Sequence, residues 1–275
     1  GLKPADLRPD APAIAEFTTG LSMGESAERL AKRFHITREE QDRFAYESHH
    51  RAADATREGL LADQVLPVRV PPKFEPIAAD NGIRGDTTLE KLAKLQPVFD
   101  RQFGTVTAGN SSFLTDGAAA TLLMSEETAQ ELGFKPLATV KAMTSVGLDP
   151  LEELLLGPAF AIPKALAQAG LTLDELDVIE LHEAFAAQMC ANLAALADEA
   201  FCREHLGLPH ALGRIDRDRL NAWGGSLSIG HPFGATGSRL VTTAAQRLQH
   251  QNGRYALVAA CAAGALGSAM ILERA

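Results

Sequence analysis

From Asp116 onward the chain alternates short apolar runs with capped helical stretches, and this alternation restricts it to a layered α/β architecture. Gly117–Met124 reads as an apolar strand, followed by a helix over Ser125–Leu132 that Ser125 caps and Gly133 stops. A strand is expected at 137–143 and a helix at about 158–169, closed by Gly170. Thr172-Leu173-Asp174-Glu175 is a capping box, in which hydroxyl and carboxylate satisfy each other's orphan amides. Strand Val178–Leu181 then leads into a helix of about 184–197. A glycine-rich stretch, Gly224–Gly237, precedes a helix of about 237–249, and Tyr255–Leu272 reads as two strands joined at Gly264–Gly267.

The first part is different. Pro4, Pro9 and Pro12 make residues 1–20 irregular. Ala27, Leu30, Ala31 and Phe34 mark one face of a helix over Glu25–Phe34. A second helix starts at the capping box Thr37-Arg38-Glu39-Glu40 and runs to about Gly59; its many charges predict a largely solvent-facing element. Residues 62–103 carry five prolines and no sustained periodicity, which points to a functional or excursive loop. Residues 1–112 therefore read as a loop-rich subdomain.

The net charge of −9 excludes a general nucleic-acid or anionic-membrane binder, though not an anionic ligand held by a few local donors. Three cysteines, Cys190, Cys202 and Cys261, are too few and odd in number for a disulfide framework. The most apolar stretch, Leu257–Leu272, is too short for a membrane span and is interrupted by glycines.

Three segments could carry chemistry, each at a strand end or helix start, where ligands collect in α/β folds. In Leu181-His182-Glu183-Ala184-Phe185, His182 leaves a buried strand; taken alone, it reads as a helix-capping histidine. In Asn221-Ala222-Trp223-Gly224-Gly225-Ser226-Leu227-Ser228-Ile229-Gly230-His231-Pro232, glycines permit tight turns and Pro232 fixes the backbone after His231. A histidine on so rigid a loop is suited to general-base work. The segment lacks the lysine of a phosphate-binding P-loop, and its glycines do not fit the dinucleotide fingerprint. In Ala259-Ala260-Cys261-Ala262-Ala263-Gly264, a cysteine ends an apolar strand among small residues. Such a thiol becomes a useful acid or base only if a neighbour lowers its pKa; the competing reading is a tightly packed hairpin.

Taken in order, His-Glu-Ala-Phe, Gly-His-Pro and Cys-x-x-Gly resemble the thiolase family. Met23-Gly24-Glu25-Ser26-Ala27-Glu28 and Gly104-Thr105-Val106-Thr107-Ala108-Gly109-Asn110-Ser111-Ser112 are similar to further signatures of that family. The resemblance covers essentially the whole chain. Histidine rather than asparagine at 182, together with Cys261-Ala262-Ala263-Gly264, points to the branch formed by thiolase subunits of fatty-acid oxidation complexes.

The resemblance implies a layered αβαβα fold, here a CoA-covering loop domain (1–112), a last strand and helix of the N-terminal half (113–135) and the C-terminal half (136–275). It implies thiolytic cleavage of 3-ketoacyl-CoA, with CoA as substrate and no cofactor or metal. His231 would deprotonate the nucleophilic cysteine, and Cys261 would exchange a proton with the acetyl-CoA carbanion. His182 would anchor a water and stabilise a developing oxyanion with His231; amides near Ala263 and Gly264 would form a second oxyanion hole. Met23, Ala108, Ser112, Ala184 and Phe185 match positions lining the pantetheine tunnel. A homodimer and a hydratase–dehydrogenase partner are implied, in the cytoplasm of a bacterium or the mitochondrion of a eukaryote.

The sequence departs from the pattern at Ala265, where this branch usually has glycine and a methyl would narrow the tunnel. The family's acylated cysteine lies in a segment ahead of the position Gly1 occupies. The resemblance thus implies an N-terminal truncation and a chain unable by itself to form an acyl-enzyme. Two other readings compete: a non-catalytic CoA-ester-binding module, and a ketoacyl synthase on the same fold. The second is less apt because synthases pair two histidines with one cysteine, whereas Cys261 fills one of those places here.

Overall fold

The structure, a computed structural model, describes residues 15–275; the expected irregularity of residues 1–14 lies outside it. Helix α1 (Met23–Arg33) opens with a capping box between Ser22 and Glu25. Helix α2 (Arg38–Arg57) opens with the expected one between Thr37 and Glu40. α2 is not the solvent-facing helix that its charge suggested. Phe44, Ala45, Ser48, His49, Ala52 and Ala55 are buried, because most of the charged residues occupy the opposite face and the buried Asp42 is paired with Arg38.

Residues 62–103 contain little regular structure: a two-stranded ribbon of β1 (Val68–Arg69) and β2 (Pro76–Ile77), and the short helix α3 (Leu89–Ala93). Gly117–Met124 does not form a strand. It runs outside any ladder, and Leu122 and Leu123 are more than two-thirds exposed. β-propensity expresses packing against cross-strand neighbours, and no described strand lies alongside to supply them.

Helix α4 (Glu126–Leu132) has the predicted Ser125 cap and left-handed Gly133 stop. Next come β3 (Ala138–Gly147), longer than expected, and α5 (Gly157–Ala169), which ends at left-handed Gly170. β4 (Val178–Leu181) matches its expected bounds, and α6 (Ala186–Ala197) starts two residues late, after an extended Phe185. Helix α7 (Glu199–Leu206) was not anticipated; Asp198 caps it by accepting from the Phe201 amide. Within the glycine-rich segment lies one helical turn, α8 (Ser226–Ile229), followed by α9 (Thr236–Gln251), β5 (Tyr255–Ala262) and β6 (Leu266–Arg274).

The main sheet has the order β3-β6-β5-β4, antiparallel except for the parallel β5–β4 pair. Side chains alternate between its faces. Ile179, Leu181, Leu257, Ala259, Cys261, Ala269 and Ile271 join the core under α5 and α6. Val178, Ala256, Val258 and Leu272 meet Leu240, Ala244 and Leu248 of α9 on the other face. α1 and α2 form a further layer over α6. Of the five layers implied, the described residues hold one sheet between helices, plus this outer pair. No described helix is long and apolar enough to cross a membrane.

One charge pair is sealed in this core. Arg247 of α9 meets Glu180 of β4 at 2.7 Å, both side chains wholly buried. Arg247 also donates to the carbonyls of Arg219 and Ile179.

Candidate active site

The parallel β4–β5 register brings the ends of these two strands together. The His182 amide donates to the Ala259 carbonyl at 2.9 Å, immediately after the Leu181–Ala259 pair. Beyond β4, residues 219–221 run beside the strand. Asn221, at φ 44, donates its side-chain amide to the Leu181 carbonyl and to Glu183, and accepts from the Leu181 amide. The loop and the strand end are thereby locked together.

Glu183 is the second lock. Its buried carboxylate accepts from Ser48 of α2, from Asn221 and from the Leu227 amide of α8. Burial pushes its pKa up, while the Asn221 and Ser48 bonds pull it down. Gly225 is required here: a Cβ at that position would lie 2.2 Å from the Glu183 carboxyl carbon. Gly230, at φ 104, plays the same part further along, since a Cβ there would meet the Thr115 hydroxyl at 2.2 Å.

The framework brings two imidazoles into tilted contact. The ring centroids of His182 and His231 are 4.0 Å apart with an interplanar angle of 40°. His182 Nδ1 lies 3.0 Å from the Ser226 hydroxyl, which also accepts from Arg239 at 2.9 Å. His231 Nδ1 lies 2.7 Å from the Thr236 hydroxyl, itself 3.1 Å from the Pro232 carbonyl. Both Thr236 contacts are hydrogen bonds only if the hydroxyl proton goes to Pro232 and Nδ1–H donates to Thr236. His231 Nε2 then keeps its lone pair.

Both rings are neutral at neutral pH. Burial lowers the His231 pKa to about 4, with Arg239 adding to the effect. His182 is held well below the ordinary value, chiefly by burial and then by His231 and Arg239.

Cys261 sits on β5, two residues past the carbonyl that receives the His182 amide. It faces the α5–α6 core and makes no hydrogen bond to either imidazole. No neighbour lowers its pKa; burial pushes it up to about 12. The structure therefore joins the two histidines directly, while no hydrogen bond ties the thiol to them and burial keeps it protonated. Ala263 and Gly264 form the exposed turn beyond it, with Gly264 at φ 81. Ala265 adopts φ 56 and is fully buried, its methyl part of the main core.

The remaining predicted residues fall in two groups. Residues 110–112 run antiparallel to 184–186: the Ser112 amide donates to the Ala184 carbonyl, and Ser111 bridges Phe185. Phe185 meets Phe99 edge-on at 6.2 Å, and Phe99 in turn fills the space over Gly24, next to Met23. Ala108 is exposed on the turn between Thr107 and Asn110. A groove of about 700 Å³ opens between 114–119 and 231–235, touching His231 but neither His182 nor Cys261.

Ser226, Thr236, Arg239, Glu183 and Asn221 were not singled out from sequence. The available signal was their position: small or amide-bearing polar residues inside an otherwise glycine-rich, apolar run have to be satisfied by something nearby.

The model of the thiolase N-terminal domain matches residues 6–127, and that of the thiolase C-terminal domain matches residues 134–274. The chain belongs to the thiolase family. Among curated relatives of this thiolase chain, the 3-ketoacyl-CoA thiolase of Citrobacter koseri is 52% identical over 272 residues, and that of Escherichia coli is 50% identical over the same length. Each alignment covers 99% of this chain and 62% of the relative, so this chain spans less than two-thirds of the curated thiolases it matches. Among solved structures, the acetyl-CoA acetyltransferase of Bacillus anthracis superposes with a TM-score of 0.85 at 34% identity, covering 100% of this chain and 68% of the other. Human mitochondrial 3-ketoacyl-CoA thiolase in complex with CoA gives 0.84 at 35% identity, covering 95% and 61%. The fold is that of the thiolases.

Proposed function

We propose that this chain supplies the general-base and oxyanion part of a 3-ketoacyl-CoA thiolase acting in fatty-acid β-oxidation. The observation that carries the reading is the paired, neutral imidazoles of His182 and His231, 4.0 Å apart. A histidine whose Nδ1–H is tied to Thr236 presents an unprotonated Nε2, as required of a base that takes the proton of a nucleophilic thiol.

In the reaction, the nucleophilic thiol gives its proton to His231 Nε2 and, as thiolate, attacks the 3-keto carbon of the substrate. The C2–C3 bond then breaks, leaving the shortened acyl group on the nucleophile and the electron pair on acetyl-CoA as an enolate. Cys261, kept protonated by burial, gives that enolate its proton; an enolate is a stronger base than a thiolate, so in this direction the acid needs no lowering of its pKa. The thiol of a second CoA gives its proton to the Cys261 thiolate and takes the acyl group, and the nucleophile leaves as thiolate and recovers its proton from His231. His182, through a water it anchors, and the amides near Ala263 and Gly264 are assigned to the developing oxyanions. Met23, Ala108, Ser112, Ala184 and Phe185 are assigned to the pantetheine arm, on a loop domain of residues 1–112. Residues 113–135 are assigned to the N-terminal half and 136–275 to the C-terminal half.

Neither remaining cysteine suits the nucleophile. Cys190 lies on α6 with its pKa pushed up to about 12 by burial, and the buried Cys202 thiol donates to the carbonyls of Ala195 and Leu196. A polypeptide of these 275 residues alone is expected to be inactive. The working assembly is assigned as a thiolase dimer with a hydratase–dehydrogenase partner, in the bacterial cytoplasm. The test is steady-state thiolysis of a 3-ketoacyl-CoA by the complete natural polypeptide and by His231→Ala. Absence of turnover in the first, or unchanged kcat in the second, would overturn the reading.

A further inference from the structure

We propose that Ser226, oriented by Arg239, fixes His182 in the tautomer that carries its proton on Nε2, so that His182 meets substrate as a hydrogen-bond donor. The inference deepens the function proposed above and rests on it.

The argument begins with proton accounting. The Ser226 hydroxyl is completely buried and has two polar contacts on its oxygen, His182 Nδ1 at 3.0 Å and Arg239 Nη2 at 2.9 Å. Arg239 can only donate. If His182 Nδ1 also donated, Ser226 would hold two incoming protons, and its own proton would have no acceptor among the described residues. A buried hydroxyl left that way costs free energy that the alternative avoids. With Ser226 donating to Nδ1, every contact is a hydrogen bond, and the run Arg239→Ser226→His182 has one direction. Neutral imidazole has a single N–H, which must then sit on Nε2.

Where Nε2 lies matters next. Nδ1 is committed, and Nε2 has no partner among the described residues. The ring packs directly against that of His231, whose own edge lines the groove between 114–119 and 231–235. An uncommitted N–H beside the His231 ring is the group needed to hold a water or an oxyanion oxygen. In the opposite tautomer the same position would present a lone pair and repel developing negative charge.

The two histidines thus have opposite assignments set by neighbouring hydroxyls. Thr236 receives a proton from His231, whereas Ser226 gives one to His182. Arg239 distinguishes the two cases, because it occupies the acceptor site on Ser226. Its other neighbours, Glu180, Glu183 and Asp80, supply compensating negative charge. Ser226 and Arg239 are positioning residues; neither needs to touch substrate.

The test uses the complete natural polypeptide labelled with ¹⁵N-histidine. A long-range ¹H–¹⁵N correlation spectrum at neutral pH assigns the tautomer, with the His182 signals identified by their loss in His182→Asn. The expected result is a protonated Nε2 and an unprotonated Nδ1 for His182. In Ser226→Ala the signals should move toward the Nδ1–H form, and kcat for thiolysis should fall by about 10- to 100-fold with KM changed less than about threefold, a milder case of the penalty for a misassigned catalytic tautomer. Ser226→Thr, which keeps a hydroxyl, should retain the native tautomer and more of the rate. An Nδ1-protonated His182 in the unsubstituted protein overturns the proposal, whatever the variants do. So does a Ser226→Ala protein whose tautomer or kcat is unchanged. If the unsubstituted protein has the expected tautomer but cleaves no 3-ketoacyl-CoA, the proposed function fails while the Ser226 assignment stands.

Discussion

His231 and Thr236, five residues apart, meet side chain to side chain at 2.7 Å across the start of α9, and this contact leaves the far nitrogen of the ring free to act as a base. Thr236→Val keeps the shape and removes the hydroxyl. Nδ1 then loses its acceptor, and the tautomers of His231 become mixed. In the complete natural polypeptide, kcat for 3-ketoacyl-CoA thiolysis is expected to fall by about 10- to 100-fold, less than the roughly 10²–10⁴-fold a general base contributes, because the base is misset and not removed. Full activity in Thr236→Val would show that the hydroxyl does not set the ring.

The depressed pKa of His231 has a consequence for stability, with a definite sign. The folded value is about 4 against the ordinary 6.5, so in that window the unfolded chain binds more protons than the folded one. Stability from this group is complete above about pH 6.5 and is lost as pH falls toward 4. His182 acts in the same direction. Thermal melting at pH 7 and pH 5 should therefore show a drop in Tm, and His231→Gln, which cannot titrate, should show a smaller one. Equal drops in both proteins would contradict the assignment.

Glu180 and Arg247 test the core rather than the site. The pair is sealed between β4 and α9, and Arg247 Nε and Glu180 Oε2 have no partner among the described residues. Removing one member leaves a buried charge uncompensated, so Glu180→Ala is expected to cost about 3–5 kcal/mol in denaturant unfolding. Replacing both by apolar residues of similar volume should recover most of that loss. A single substitution costing under about 1 kcal/mol would mean that water reaches the pair.

The sequence was most informative where local rules act alone. The capping boxes at Thr37 and Thr172, the left-handed stops at Gly133 and Gly170, and the strand Val178–Leu181 all formed within a residue or two of expectation. It misled where a distant neighbour decides the outcome. Gly117–Met124 has the composition of a strand, but a ladder needs a partner that its own residues cannot provide. α2 reads as charged overall, yet its narrow face of Phe44, Ala45, Ser48 and Ala52 is buried by elements far along the chain. At the site, the histidines were legible from motif order. Ser226, Thr236 and Arg239 were not, because hydrogen bonds between side chains distant in sequence have no period.

The last prediction concerns association. Leu114, Leu122 and Leu123 are each at least 70% exposed along the extended stretch that follows Ser112. The stretch is tied to α9 by Thr121, whose hydroxyl meets Ser238 at 2.6 Å, and residues 117–124 join no ladder among the described residues. An unpaired extended edge with apolar side chains is a template for another chain. A polypeptide of these 275 residues expressed alone should therefore self-associate, and light scattering should report species larger than a monomer. Leu122→Asp with Leu123→Asp places charge on that edge and should shift the distribution toward the monomer without altering the far-ultraviolet circular dichroism. A monodisperse monomer before any substitution would show that the edge is protected by something other than a partner strand.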